Sequence, residues 1–297
     1  MTAEASGGDP ELSGQVLFYR QPEPLSLEKH RNLGAKRVDR PFQFLVGSHV
    51  VPITVNEFGV ASCSFPVIFA GNEKTPLAVM GARAGENVFV SPQGDVDPEA
   101  YLPAFVRRYP FVFASDQGSD NMLVCIDRAA PMIGENPEMP FFNGDQPSQY
   151  TQDAIEFLKE FERHRQATEF FVKTLQDLDL FEEKSVAISN RDEQGNEQQV
   201  KVADYFAISE EKFNALPAEK FNELREKGMI APIYAHLISL LTWPRLIHRA
   251  LMISAAQNQG AQAAPAPNGN GGAVPFGGAS AAPAAPEEKK KGRFPFS

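Results

Sequence analysis

The side chains that could do chemistry in this chain are few and scattered. His164 follows Glu160 by one helical turn and precedes Thr168 by another. A carboxylate four residues before a histidine can orient the ring or supply part of a metal site; the same spacing also suits a partly buried histidine that simply bonds its neighbour. Arg107 and Arg108 are adjacent and lead into Tyr109 and Pro110. Such a pair can present a guanidinium fork to an anion or carboxylate, with Asp127 and Arg128 opposite, or it can make ion pairs at a sheet edge. If Arg107, Arg108, Glu160 and His164 converged on one pocket, the chain would read as an enzyme acting on a peptide or small molecule.

Other motifs argue mostly by elimination. Among His30, His49, His164, His236 and His248 no pair has the close spacing of a zincin helix, so neither metal nor cofactor is expected. Cys63 and Cys125 are too few for a disulfide framework, and each lies in an apolar run where a free thiol serves as a small core residue. The loops Ser91 to Asp97 and Ser115 to Asp120 carry oxygen ligands but not the length or terminal glutamate of an EF-hand loop; Asp, Gly and Ser are also what tight turns require. Gly81 to Gly85 (GARAG) lacks the lysine and hydroxyl of a phosphate loop, and no G-x-S-x-G elbow is present.

The elements that must position these residues follow from composition and periodicity. The chain has 297 residues, 42% of them hydrophobic and 10% aromatic, enough to fill a core. A net charge of −10 argues against a nucleic-acid partner. No apolar run reaches the roughly 20 residues of a spanning helix and no export signal opens the chain, so a cytoplasmic protein without an integral membrane segment is expected.

The expected fold class is α+β, with a strand-rich N-terminal half packed on a helical C-terminal half. Short apolar runs predict antiparallel strands at Phe42 to Val46, Val50 to Thr54, Ser64 to Ala70, Leu77 to Ala82, Asn87 to Ser91, Phe111 to Ala114 and Met122 to Asp127. Tyr150, Ala154, Phe157, Phe161, His164, Thr168, Phe171, Leu175 and Leu178 alternate steps of four and three, which predicts one long helix capped by Ser148. Val186 with Ile188 and Val200 with Val202 predict a hairpin. A short helix should start at Ser209, a second should end at Gly228, and a core helix, Ile233 to Trp243, should bend or break at Pro244.

By domain, residues 1–15 are expected to be disordered, 16–254 folded, 255–286 a flexible linker and 287–297 a distinct tip. Between Ala255 and Pro286 there are 12 Ala, 5 Pro and 6 Gly and no charged side chain, too little apolar surface to offset ordering entropy. The tip carries Lys289, Lys290, Lys291 and Arg293 beside Phe294 and Phe296. Two aromatics on a proline-stiffened strand can enter apolar pockets while the cations steer towards an acidic surface, which makes the tip a candidate binding element for a protein or peptide partner; a solubilising tail is the competing reading.

Several stretches resemble the SapC family of bacterial proteins, named from a surface-layer locus: Pro76 to Val90 (PLAVMGARAGENVFV), Tyr101 to Phe111 (YLPAFVRRYPF), Phe141 to Ser148 (FFNGDQPS) and Met229 to Leu246 (MIAPIYAHLISLLTWPRL). The resemblance covers nearly all of Pro22 to Arg249. The resemblance implies a bacterial protein associated by name with cell-surface arrays, with no catalytic residues to carry over; family members are often found beside outer-membrane TonB-dependent receptors and flavin-dependent halogenase-like proteins. From it follows the expectation of a non-catalytic accessory or interaction protein of an envelope, surface-layer or uptake system, peripherally associated with membrane or envelope. The tail lies outside the family pattern.

Overall fold

The computed structural model describes residues 16–115, 122–191 and 197–262. The expected N-terminal disorder, most of the linker, and the tip with Lys289, Lys290, Lys291, Arg293, Phe294 and Phe296 lie outside the described residues.

The class is α+β, and every strand pairing is antiparallel among the described residues. The largest sheet has five strands in the order β12 (Phe181–Arg191), β13 (Glu197–Ile208), β4 (Val67–Ala70), β5 (Thr75–Val79) and β3 (Val50–Pro52). The predicted hairpin is therefore β12 and β13, and it joins the N-terminal strands through Phe206 opposite Phe69. A second sheet orders β1 (Pro22–Pro24), β7 (Met122–Asp127) and β6 (Phe111–Ser115), and a third β8 (Ile133–Glu135), β2 (Leu33–Ala35) and β9 (Met139–Pro140). A small hairpin, β10 (Phe142–Asn143) and β11 (Gln146–Pro147), turns at Gly144.

Three short helices, α1 (Leu27–His30), α2 (Phe58–Ala61) and α3 (Ala104–Arg107), precede the long helix α4 (Gln149–Asp177). Ser148 caps α4 as predicted, accepting the Thr151 N–H at 3.3 Å. Leu158, Phe161, Phe171 and Leu175 are buried along the helix, while Glu162 and Arg165 pair at 2.7 Å on its polar side. Ser209 caps α5 (Glu210–Asn214), and α6 (Ala218–Glu226) ends before Gly228, whose φ of 70° suits a residue without Cβ. The last helical run divides into α7 (Ile230–Ser239), a 3₁₀ turn (Leu240–Thr242) and α8 (Trp243–Gln262). The break falls just before Pro244, as its missing N–H requires, and α8 continues past Ser254, where the composition changes.

Two predicted strands are not strands. Gln43–Leu45 form a 3₁₀ turn in which the Leu45 N–H reaches the Phe42 carbonyl, because Phe44 must stack between Phe18 and Tyr109 at 5.1 and 4.4 Å. Asn87 to Val90 are buried at every position rather than alternately, and only Val90 bridges, to Val96. This segment is pinned by the Asn87 amide, which donates to the Leu45 and Ser48 carbonyls at 3.1 Å each and accepts from the Phe89 N–H. Just before it, a Cβ on Gly81 would lie 1.9 Å from the Glu86 carbonyl oxygen. The GARAG glycine thus permits a backbone crossing. Gly81→Ala is expected to destabilise the fold by about 2–4 kcal/mol in urea denaturation, because backbone must shift to admit the methyl; an unchanged midpoint would refute this account.

Candidate functional site

The long helix α4 carries Glu160 and His164, and Arg107 and Arg108 lie at the end of α3, but the four side chains do not share one pocket. Arg107 is exposed: its Nε donates to the Leu102 carbonyl at 3.1 Å, a terminal nitrogen donates to the Tyr101 hydroxyl at 3.3 Å, and the guanidinium lies 5.3 Å from the Phe157 ring centre. Arg108 turns elsewhere, sitting 4.1 and 4.7 Å from the ring centres of Phe105 and Phe161. Burial lowers its pKa, with the Tyr19 hydroxyl and the Glu162 carboxylate pulling the other way. The expected fork is therefore split, and the sheet-edge ion pair is replaced by cation–π packing. Across from them, Asp127 is fully buried and accepts from the Arg20, Gln21 and Ala129 N–H groups and the Tyr109 hydroxyl. It is a clamp for the Arg20–Gln21 backbone just before β1.

His164 and Glu160 keep the predicted one-turn relation at 3.9 Å, and both are partly exposed. The neighbouring Thr168 hydroxyl is already engaged, donating to the His164 carbonyl at 2.7 Å and accepting the Val55 N–H at 2.8 Å. Among the described residues no group of three His, Cys, Asp or Glu side chains could hold a metal ion. A cleft of about 810 Å³ runs between α4 and the edge of the five-stranded sheet, lined by Arg108, Phe105, Phe161, Arg165, Thr168 and Lys173 among others. Arg107, Glu160 and His164 do not line it.

Of the remaining motifs, the loop Ser115 to Asp120 lies outside the described residues beyond Ser115, and the others resolve as structure. The Ser91 loop is a turn in which Ser91 Oγ accepts the Gln93 and Asp95 N–H groups, and Asp97 caps Glu99 while pairing with Arg249 at 2.6 Å. These contacts hold the Asp97 carboxyl below its usual range, the Glu99 N–H most of all. Cys125 is buried in β7, where burial pushes its thiol up to about 11. Cys63 departs from expectation: it is exposed in the turn after α2.

The surface that sequence reasoning missed is on the last helical run. Ile233 to Trp243 was expected to be core, and Ile233, His236, Ser239 and Trp243 are indeed buried against the sheet. The opposite side is not. Tyr234, Ile238, Leu241 and Met252 are 43%, 55%, 78% and 60% exposed, and with Arg245, His248 and Ala255 they form an exposed stripe at steps of four and three. That spacing was legible in the sequence, but the inner stripe shows the same period and the same apolar character. The helical run Ile230–Ala256 is also long and apolar enough, by length and composition, to cross a membrane, which α7 alone is not. Beside α7, a groove of about 450 Å³ is lined by Gly59, Phe170, Ala231 and Ala235; Phe170 is 55% exposed and Lys227 lies 5.6 Å from its ring centre.

With this geometry in hand, comparison with known proteins yields one match. No curated protein and no solved structure matches the chain. The family model described as SapC matches residues 25–246, which include α1 through α7 and end at Leu246 in the first turn of α8, so the chain belongs to the SapC family.

Proposed function

We propose that this protein is a non-catalytic binding protein that takes a protein or peptide partner, acting as an accessory of a bacterial envelope, surface-layer or uptake system. The observation that carries the reading is the exposed apolar stripe of α7 and α8 with the Phe170 groove at its side. Exposed aliphatic surface clustered in this way is costly to leave in water and marks an interaction site. The patch is built from Ile, Leu, Met and Tyr with a single phenylalanine. The envelope setting rests on the family resemblance. An enzyme reading would need the four candidate side chains around one cavity, and only Arg108 reaches one.

A photo-cross-linking side chain placed at Leu241 in cells tests this. Protein adducts are expected from that position and from Met252, in the envelope fraction, but not from Glu219 on α6. Leu241→Asp should abolish the adducts formed from Met252 while moving Tm by no more than about 2 °C, since an exposed substitution costs little. Absence of adducts from both stripe positions would refute the reading.

A further inference from the structure

The exposed stripe has a charge pattern that specifies its occupant. Its ends are apolar, Tyr234, Ile238 and Leu241 on one side and Met252 and Ala255 on the other, whereas its centre holds Arg245 and His248. From Met229 to Ala256 the sequence contains no Asp or Glu, in a chain whose net charge is −10. Arg245 is anchored by the carbonyls of Cys63 and Ser64, the latter at 2.7 Å, so its position in the middle of the stripe is set.

Three occupants can be compared on this pattern. An antiparallel second copy, pairing Ile238 with Met252, would bring Arg245 against Arg245 at the two-fold axis, and like charges facing each other across a seam oppose association. A bilayer would have to accept Arg245 and His248 between the very residues that insert. A helix from another protein can satisfy both parts of the pattern. Alternating steps of four and three are the seam spacing into which a second helix packs its knobs, and from Tyr234 to Ala255 the stripe is about 30 Å long at 1.5 Å per residue.

We propose that the α7–α8 stripe binds an amphipathic helix of about 20 residues in which one or two carboxylates stand between two aliphatic anchor groups. The carboxylates meet Arg245 and His248 and fix the register, and the anchors cover the apolar ends. This assignment rests on the binding reading above and names its partner class.

Two synthetic helical peptides carrying leucines at steps of four and three, one with a central Glu pair and one with a central Lys pair, test it against the full chain by fluorescence anisotropy. The Glu-centred peptide is expected to bind about 10-fold more tightly than the Lys-centred one. His248→Glu should reverse that preference, and Ile238→Asp should weaken both peptides; circular dichroism confirms that the variants are folded. His248 is the charge variant because Arg245 also holds backbone carbonyls. Equal affinities, or no binding of either peptide, overturn the proposal. So does sedimentation with vesicles of phosphatidylglycerol and phosphatidylcholine that Leu241→Asp abolishes, or a concentration-dependent dimer that Ile238→Asp dissociates. If cross-links form at Leu241 while the peptides show no charge preference, the binding reading survives and the acidic-helix assignment falls.

Discussion

Glu57→Ala is expected to destabilise the protein by about 3–5 kcal/mol in urea or thermal denaturation, because it leaves two backbone N–H groups and two hydroxyls without their common acceptor. The buried Glu57 carboxylate accepts four hydrogen bonds: one oxygen from the Thr54 N–H at 2.9 Å and the Thr54 hydroxyl at 2.7 Å, the other from the Tyr101 hydroxyl at 2.8 Å and the Ala104 N–H at 2.6 Å. The first pair closes the capping box of the 3₁₀ turn Val55–Glu57. The second pair begins α3, whose N-cap is Pro103 and offers no side-chain acceptor. One carboxylate thus caps two helical turns that are far apart in sequence, and through α3 it sets where Arg107 and Arg108 meet α4.

Glu57→Gln should recover only part of the loss. Whichever way the amide is turned, its NH₂ faces a backbone N–H that needs an acceptor. Tyr101→Phe removes one bond and should cost about 1 kcal/mol. If Glu57→Ala fell within 1 kcal/mol of the parent, the carboxylate would not be the tie between these turns.

The second large effect is a pH dependence arising at His236. The ring is fully buried 5.0 Å from the Phe69 ring centre, and its Nε2 accepts the Ile208 N–H at 3.0 Å. Beside it, Ser239 Oγ donates to the His236 carbonyl and accepts the Val67 N–H, joining α7 to β4. Burial pushes the imidazole down from 6.5 to about 3, with the nearby Lys184 charge acting in the same direction and the Val67 backbone against it. Above pH 6.5 the ring is neutral in both folded and unfolded chains, and its contribution is complete. Between about 6.5 and 3 the unfolded chain binds a proton that the native chain does not, so stability falls as pH drops, by up to about 1.4 kcal/mol per pH unit.

Carboxylates also titrate in this range, so the test is a difference. His236→Phe leaves the Ile208 N–H without an acceptor and should cost about 1–3 kcal/mol at pH 7. The gap between parent and variant should narrow as pH falls from 6.5 to 4. Parallel stability curves would show that His236 does not titrate on unfolding.

Elements whose cause is local could be read directly from the order of residues. The long helix was legible because α4 needs only a Ser148 cap and a 3.6-residue stripe, and β12 with β13 because alternation and a polar turn suffice. The breaks at Gly228 and Pro244 follow from backbone chemistry that no tertiary contact alters. Family membership was legible in the same way, from several short stretches in order. Where sequence reasoning failed, a distant partner decided the outcome. Phe42 to Val46 reads as a strand until Phe18 and Tyr109 take Phe44, and Asn87 to Val90 is apolar enough for a strand but is tied to the Leu45 turn by one amide.

The site was less legible than the fold, for a physical reason. Arg107, Arg108, Glu160 and His164 carry charge, which sequence displays, but whether they share a cavity depends on rotation about α3 and on which ring of α4 each guanidinium meets. The outer stripe of α7 and α8 is periodic in the sequence but cannot be told there from the inner one. Ile233 and Ile238 have the same side chain, and only the packing of α2 and the five-stranded sheet against one side of the helix decides that the first is core and the second is surface. Burial is a property of the assembled layers, whereas period and polarity are properties of the chain.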